Sequence, residues 1–432
     1  MTRPRTIAGL ALAALRARNL TRPALGAIAL TALALTGLSL RSQHARSLRH
    51  APAWAEAEMR RGLEGDGDAS FHDLSMIATP RGWLLSWVRS EYDAGTSLQV
   101  ASLDAEGKLR GAPTTLTSAR VFARFPRVAR GPRGNAVTWA ATDRGVFQPR
   151  VFFATVDDDA KVLLAPRALS DDLALAPDLA SDNEGWAVGW TSVERPNAYA
   201  LTRLDADGAP RGEPVRIPDG AGVYRSALTW NGSAWTVALN RYLDLTDESF
   251  IELAWVDRAG RNVGRKLLAR SRGAALIFSG VSHGASTWLA WGEDGQFWGG
   301  RHNPQFARVD DRTIAAGPRP LGPRRSGGGE AIACDNVGCT VAWAAVEEHE
   351  RGRPEFWVQR YDTDGAPRSP ARIVGARGRA APWSSSAVAL SLDGAAGLAA
   401  YTANRDARGG VIVVRLNAEG VPSSPPRDLP LR

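Results

Sequence analysis

The stretch LTRLDADGAPRGEPVRI, residues 201–217, returns in nearly the same form downstream as VQRYDTDGAPRSPARI, residues 358–373. In both copies a run with alternating apolar residues leads into Asp-x-Asp-Gly, and a second short run follows. A period of two is typical of a β-strand, and Asp followed by Gly is typical of a tight turn. The repeated stretch therefore predicts two strands joined by a turn, used more than once in this chain.

The turn marker recurs at a nearly constant interval along the chain. An apolar residue followed by Asp or Asn stands ahead of a turn at Asp104, Asp157, Asp205, Asp257, Asp310, Asp362 and Asn417, with separations of 48 to 55 residues. A second marker lies upstream of each one, on an alternating run, at Trp87, Trp139, Trp190, Val237, Trp291, Trp343 and Tyr401. Two markers that keep the same interval over seven copies predict seven structural repeats.

Each repeat is interpreted as four short strands, which we name a to d in chain order. The third repeat shows them as APDLASD, WAVGWTS, AYALTRLD and EPVRIP, separated by residues typical of turns. Seven four-stranded units of about 50 residues predict an all-β fold, a single seven-bladed β-propeller over residues 67–430. A β-sandwich has no reason to repeat its own sequence, and the turns of a parallel solenoid are about half as long. The repeat boundaries are expected near 67–118, 119–170, 171–218, 219–270, 271–322, 323–375 and 376–430.

The repeats also resemble those of a known class of protein. The V-x-W strand, the L-D-x-x-G turn and the P-x-x-I strand resemble the seven-bladed β-propeller repeats of secreted bacterial surface proteins. The resemblance covers residues 67–430 and implies the fold, but no reaction. The last repeat has four runs of its own and ends at PPRDLP, so closure of the ring is expected to depend on packing between blades.

The basic charge of the chain is confined to its N-terminal leader. The net charge is +8, and residues 1–50 contain eight Arg and no Asp or Glu, so the remainder is electrically balanced. A balanced body has no field to attract a polyanion, and we expect no nucleic-acid partner.

The leader has the pattern of an export signal. Five Arg precede an uncharged apolar run at residues 24–40. We expect residues 1–40 to be a signal peptide or an N-terminal membrane anchor, followed by a polar linker at 41–66. The propeller is then periplasmic, at the cell surface or extracellular. It would contact a membrane only through residues 24–40, if these are not cleaved.

Two cysteines frame the turn D-N-V-G in the sixth repeat. Strands that enter and leave such a turn place Cys334 and Cys339 opposite each other, which predicts a disulfide. The alternative is a redox or metal pair, but two Cys make half a zinc site and their spacing is not C-x-x-C.

Acidic clusters occur at residues 157–159 and 171–172, and at Asp244, Asp247 and Glu248. None of them has the spacing of a calcium loop, so they are interpreted as solvated turns. No metal and no cofactor are predicted.

The sequence favours a non-catalytic role. It lacks H-E-x-x-H, and its six His share no ligand spacing. The Trp residues of the second marker could be sugar-stacking platforms, but their apolar neighbours favour core positions. The alternative function is a glycan-processing hydrolase with its site in the axial mouth, which the fold alone suggests.

The loops between strands b and c differ in every repeat, whereas the a–b and c–d turns are short and similar. Variable loops on a rigid frame commonly carry recognition, so a protein or cell-surface glycan is expected to bind there. The alternative is that these loops are solvated tips. The protein is expected to be a monomer. The candidate binding residues are Tyr92, Tyr242, Asp244, Asp247, Trp298, His302, Glu347 and His349.

Overall fold

The computed structural model of the chain describes most residues from 70 onward. These are residues 70–91, 95–118, 121–143, 148–171, 173–192, 198–218, 222–243, 246, 248–272, 274–295, 303–321, 326–346, 354–374, 388–394, 396–405 and 408–431. The expected leader and linker lie outside them.

The described residues form 28 strands and no helix, arranged as seven sheets of four. The first three blades consist of β1 Ser70–Thr79, β2 Gly82–Glu91, β3 Gly95–Leu103 and β4 Thr114–Thr115; β5 Val121–Gly131, β6 Gly134–Asp143, β7 Arg150–Val156 and β8 Val162–Ala168; and β9 Ala174–Ser181, β10 Gly185–Ser192, β11 Ala198–Asp205 and β12 Val215–Pro218.

The other four blades follow the same plan. They consist of β13 Gly222–Trp230, β14 Ala234–Leu243, β15 Glu248–Asp257 and β16 Asn262–Arg272; β17 Ala274–His283, β18 Ser286–Gly295, β19 Asn303–Asp310 and β20 Thr313–Pro320; β21 Ser326–Asp335, β22 Gly338–Val346, β23 Pro354–Asp362 and β24 Arg372–Ile373; and β25 Val388–Asp393, β26 Ala396–Arg405, β27 Arg408–Asn417 and β28 Arg427–Asp428.

Every sheet pairs its strands in chain order and antiparallel, so each blade is an up-and-down meander. The first strands of the seven blades pack side by side, and β1 contacts both β5 and β25. Seven such sheets around one axis form a seven-bladed β-propeller, as the sequence period predicts.

Large aromatic side chains fill the spaces between blades. The Trp residues of the second sequence marker are at most 2% exposed, at positions 87, 139, 190, 291 and 343. Each hydrophobic cluster combines residues of successive blades, for example Trp139 with Val88 of the preceding blade. The prediction that these Trp residues belong to the core is confirmed.

Within the described residues, the ring closes by packing between blades seven and one, without a borrowed strand. Blade seven contains four strands of its own, β25 to β28. One apolar cluster combines Phe71 and Trp87 of blade one with Val413 of blade seven and Leu429 beside β28. This is the closure expected from the sequence.

The recurring Asp of the sequence stabilises the turn between strands c and d. Oδ1 of Asp205 accepts hydrogen bonds from the backbone N–H groups of Asp207 and Ala209, at 2.9 and 2.7 Å. The equivalent residues that accept backbone bonds in this way are Asp104, Asp157, Asp257, Asp362 and Asn417. Side-chain acceptors that mimic a backbone turn explain why this position repeats.

Ion pairs link successive blades at the same end of the molecule. Each joins one blade to the c–d turn of the next: Arg81 with Asp159, Arg133 with Asp207, Glu184 with Arg258, Arg308 with Asp364, and Arg415 with Glu106. The last of these joins blade seven to blade one. Exposed pairs stabilise little individually, so their main effect is to align neighbouring turns.

Candidate functional site

The innermost strands of blades one to six carry an irregularity at a common level. Their register with the second strand shifts at His72/Ser75, Arg124/Arg127, Leu175/Asp178, Val223/Ser226, Ile277/Ser279 and Gly328/Ala331. In three of these strands a residue other than Gly has a positive φ: Asp73 at 54°, Phe125 at 56° and Ala176 at 47°. A β-bulge of this kind changes the direction of the side chains beside it.

In blades one to five, the residues directly after these shifts form a polar belt, which we name the bulge ring: Ser75, Arg127, Asp178, Ser226 and Ser279. Its members bond across blade boundaries. Oγ of Ser75 accepts from the Val128 N–H of blade two at 3.1 Å, and Oγ of Ser279 accepts from the Ile332 N–H of blade six at 3.2 Å. The bulges therefore place polar groups where one blade meets the next.

Asp178 is the anionic member of the bulge ring. Its Oδ2 accepts hydrogen bonds from Oγ of Ser226 and from the hydroxyl of Tyr199, the latter at 3.4 Å. Its Oδ1 lies 3.7 Å from Nε of Arg127. Burial, and then the charge of Asp178, raise the pKa of Tyr199 well above its ordinary value, so Tyr199 remains a neutral donor. Gly189 makes this possible, because a Cβ there would overlap the Tyr199 hydroxyl.

A second buried cluster lies between blades one and two. Oδ2 of Asp73 accepts from Nε of Arg124 at 2.7 Å and from the Phe125 N–H at 3.1 Å. Nδ1 of His72 lies 3.4 Å from the same oxygen, and its Nε2 lies 2.7 Å from Oγ of Ser90. Burial alone would raise the pKa of Asp73, but Arg124 and His72 outweigh it and hold that pKa well below its ordinary value.

The Asp73 cluster contains a carboxylate, an imidazole and a hydroxyl, the groups of a nucleophilic triad. Its setting favours a structural role. Ser90 is only 2% exposed and Asp73 is fully buried. We therefore interpret this cluster as a junction between two blades.

An axial cavity of about 360 Å³ lies among the inner strands. It extends from the bulge ring to Ser181, Trp230 and Cys334, which stand next to or close before the a–b turns. Polar side chains line its bulge end, and small or apolar residues line most of the rest.

Seven of the eight candidate binding residues lie outside the described residues. These are Tyr92, Asp244, Asp247, Trp298, His302, Glu347 and His349. Tyr242 belongs to β14, opposite Gly222 and Ser249, one residue before the strand ends. The choice of the b–c face therefore stays a prediction.

The bulge ring and the Asp73 cluster were not predicted from the sequence. One available signal was the presence of charged residues inside innermost strands, such as Asp73, Arg127 and Asp178, since charged side chains are seldom buried without a partner. Their partners could not be found in this way, because Arg127 and Asp178 belong to different blades.

The cysteine prediction is confirmed. Cys334 and Cys339 face each other directly across β21 and β22, with Cα atoms 4.0 Å apart, and form a disulfide. The described residues include no group of three or more His, Cys, Asp or Glu that could hold a metal ion. Within the same part of the chain there is no helix long and apolar enough to cross a membrane.

No protein-family model and no curated protein sequence matches the chain. Solved structures resemble it at the level of fold. The β-propeller domain of the Trilobed protease from Pyrococcus furiosus is 10% identical, with a TM-score of 0.48 over 83% of this chain and 98% of that one. A GH43 endo-arabinanase from Bacillus licheniformis is 14% identical, with a TM-score of 0.34 over 71% and 98%.

Larger proteins also match over part of their length. One of two prolyl endopeptidases studied for inter-domain dynamics is 16% identical, with a TM-score of 0.46 over 90% of this chain. The chain spans only 53% of that peptidase. These proteins differ in their named activities, and the similarity extends to the fold alone.

Proposed function

We propose that this protein is an exported, non-catalytic binding module that recognises a protein or a glycan through its b–c loops. The observation that supports this most directly is that many polar side chains at the opposite end, where the a–b and c–d turns lie, bond to the frame itself. There the recurring Asp and Asn residues accept backbone hydrogen bonds within their own turns, and charged neighbours pair between blades. Groups already engaged in holding the frame are poorly placed to recognise a partner.

The b–c hairpins supply a rigid base for variable loops. Strand pairing continues to the last residues before each loop, as at Glu91 with Gly95, Leu243 with Glu248, and Val346 with Pro354. A rigid base lowers the entropy that a loop loses on binding, which improves affinity. Aromatic residues such as Trp298 and Tyr242 are the types that most often dominate binding energy.

Export is part of the same proposal. A disulfide such as Cys334–Cys339 persists mainly in oxidising compartments outside the cytoplasm. The Arg-rich leader with its apolar run supports the same location. Cell fractionation with thiol counting tests it: we expect the protein outside the cytosol with no free thiol, and a cytosolic protein with two free thiols would refute it.

The binding face is tested by mutation at both ends of the blades. An envelope extract and an array of bacterial envelope glycans serve as probes for the full-length protein. We expect Trp298→Ala and Tyr242→Ala to weaken the captured interaction at least about tenfold, the range of binding hot spots. Matched changes at the a–b tips, Asn183→Ala and Asn336→Ala, should leave it unchanged.

Two results would contradict the proposal. Loss of binding in the a–b variants, with retention in the b–c variants, would place the site on the other face. Turnover of chromogenic aryl glycosides by the purified protein, abolished by a single carboxylate change, would establish the hydrolase instead.

A further inference from the structure

The axial cavity has the size and partly open form of a small-molecule site. Its volume of about 360 Å³ falls within the range of pockets that hold small ligands. Small residues from several blades line it, among them Ala129, Ala180, Ala227, Gly280 and Ala389. Their short side chains leave open space on the axis, where larger residues would have filled it.

Only two of the residues that line this cavity are charged, Arg127 and Asp178. Asp178 is already engaged, because both of its oxygens face partners within the bulge ring and its side chain is 5% exposed. The carboxylate is therefore fixed in place and has little surface to offer a ligand.

Arg127, unlike Asp178, retains guanidinium N–H groups that can donate to a ligand. Its side chain is 20% exposed, Nε faces Asp178, and Nη1 donates to the Pro126 carbonyl at 3.3 Å. A guanidinium has five N–H donors in a planar fork. Within the described part of the chain, Nη2 makes no hydrogen bond, so the outer edge of this fork remains available to a ligand.

Two hydroxyl groups add further donors on the same belt. Ser75 and Ser279 each use Oγ as an acceptor from a backbone N–H of the next blade. Each hydroxyl proton is then free to be donated, and both residues line the cavity. A guanidinium edge and hydroxyl donors favour an anion.

We propose that the axial cavity binds a small monocarboxylate, whose two oxygens meet the outer edge of Arg127 while Asp178 holds the guanidinium from its Nε side. A planar carboxylate matches the planar fork with two parallel hydrogen bonds. A phosphate dianion fits less well, since its second negative charge is repelled by the Asp178 carboxylate.

The binding of benzoate and butyrate to the full-length protein, measured by calorimetry, tests the site. Benzamide and butyramide serve as uncharged controls. A dipeptide with a free C-terminus, compared with its amidated form, shows whether the site binds a peptide carboxylate or only a free organic acid. We expect an acid to bind at least about tenfold more tightly than its amide, because hydrogen bonds to a charged group exceed neutral ones by that order.

Arg127→Gln should weaken acid binding about tenfold to a hundredfold, and Arg127→Lys, which keeps the charge but loses the fork, should weaken it by less. Arg130→Gln is the matched control, because Arg130 lies on the same strand but is exposed and does not line the cavity. Thermal unfolding without ligand identifies any variant that fails to fold, and Arg127→Lys then carries the test.

Three results would overturn the proposal: equal binding of acid and amide, equal loss in Arg130→Gln, or no binding of any acid at millimolar concentration. None of them bears on the loop-face proposal, because that proposal is tested at Trp298 and Tyr242 and with different probes. The two proposals therefore fail independently.

Discussion

The Asp73 carboxylate lies fully buried between blades one and two, where it accepts hydrogen bonds from Arg124 and from the Phe125 backbone. Asp73→Asn would remove the negative charge that this carboxylate presents to the Arg124 guanidinium, which is 5% exposed. Breaking a buried ion pair by removing one partner costs about 3–5 kcal/mol, and we expect a loss of that order in the free energy of unfolding. Urea unfolding at pH 7 measures it.

The matched control is Asp143→Asn, since Asp143 is exposed at the end of β6 in blade two. It should change the free energy of unfolding by less than about 0.5 kcal/mol, as is usual at the surface. Equal effects of the two substitutions would show that the buried pair does not stabilise the junction.

The same residue predicts how stability depends on pH. The pKa of Asp73 is held well below its ordinary value of 3.8 in the folded protein. A lowered carboxyl pKa contributes stability that is fully present above the unfolded value and is lost as the pH falls toward the folded value. Unfolding measured from pH 6 downward should therefore show a steeper acid loss in the wild type than in Asp73→Asn. Parallel curves below pH 4 would contradict this.

At the scale of the element, the c–d turn separates a backbone effect from a surface charge effect. Asp205 accepts two backbone hydrogen bonds in its own turn, whereas Asp207 forms an ion pair with Arg133 of blade two through exposed side chains. We expect Asp205→Ala to lower the free energy of unfolding by about 1–2 kcal/mol, because two backbone donors lose their acceptor.

Asp207→Ala, two residues away in the same turn, is the comparison. An exposed ion pair contributes about 0–1 kcal/mol, and less in high salt. Chemical denaturation of both variants at low and high ionic strength distinguishes the two effects. If Asp207→Ala lowers the free energy of unfolding more than Asp205→Ala does, the ion pairs between blades contribute more to stability than the hydrogen bonds within the turns.

The ring closes at the junction between blades one and seven, which no connecting segment joins directly, so the stability of the whole molecule depends on the packing there. Leu429, 5% exposed, packs in the cluster that joins blades one and seven, and its N–H bonds to the Val411 carbonyl at 2.9 Å. Leu429→Ala should cost about 2–5 kcal/mol, as truncations of buried Leu do. We expect one cooperative transition at a lower midpoint, because opening this junction frees both neighbouring blades.

The control is Leu163→Ala on the outer strand β8, where the side chain is 57% exposed. Calorimetry of both variants reports the midpoint and the number of transitions. Blade seven melting alone, ahead of the rest, would show that the ring does not unfold as a unit.

The architecture could be predicted from the sequence, because the features that define a blade are local and repeat. The turn Asp, the alternating strands and the buried Trp each occupy a fixed place in a unit of about 50 residues, so seven weak signals reinforce one another. Cys334 and Cys339 could be paired for the same reason, since a single hairpin sets their distance.

The polar contacts on the axis could not be predicted in this way, because they form between blades. Arg127 and Asp178 belong to different blades and meet because the ring brings two innermost strands together. The bulges before these two residues direct their side chains toward each other. No periodic pattern records such a contact, because it uses a different residue in each blade. The b–c loops likewise have no common pattern, since their residues are not needed by the frame. The spacing of residues along the chain determines the contacts within one blade. Closure of the ring determines the contacts between neighbouring blades.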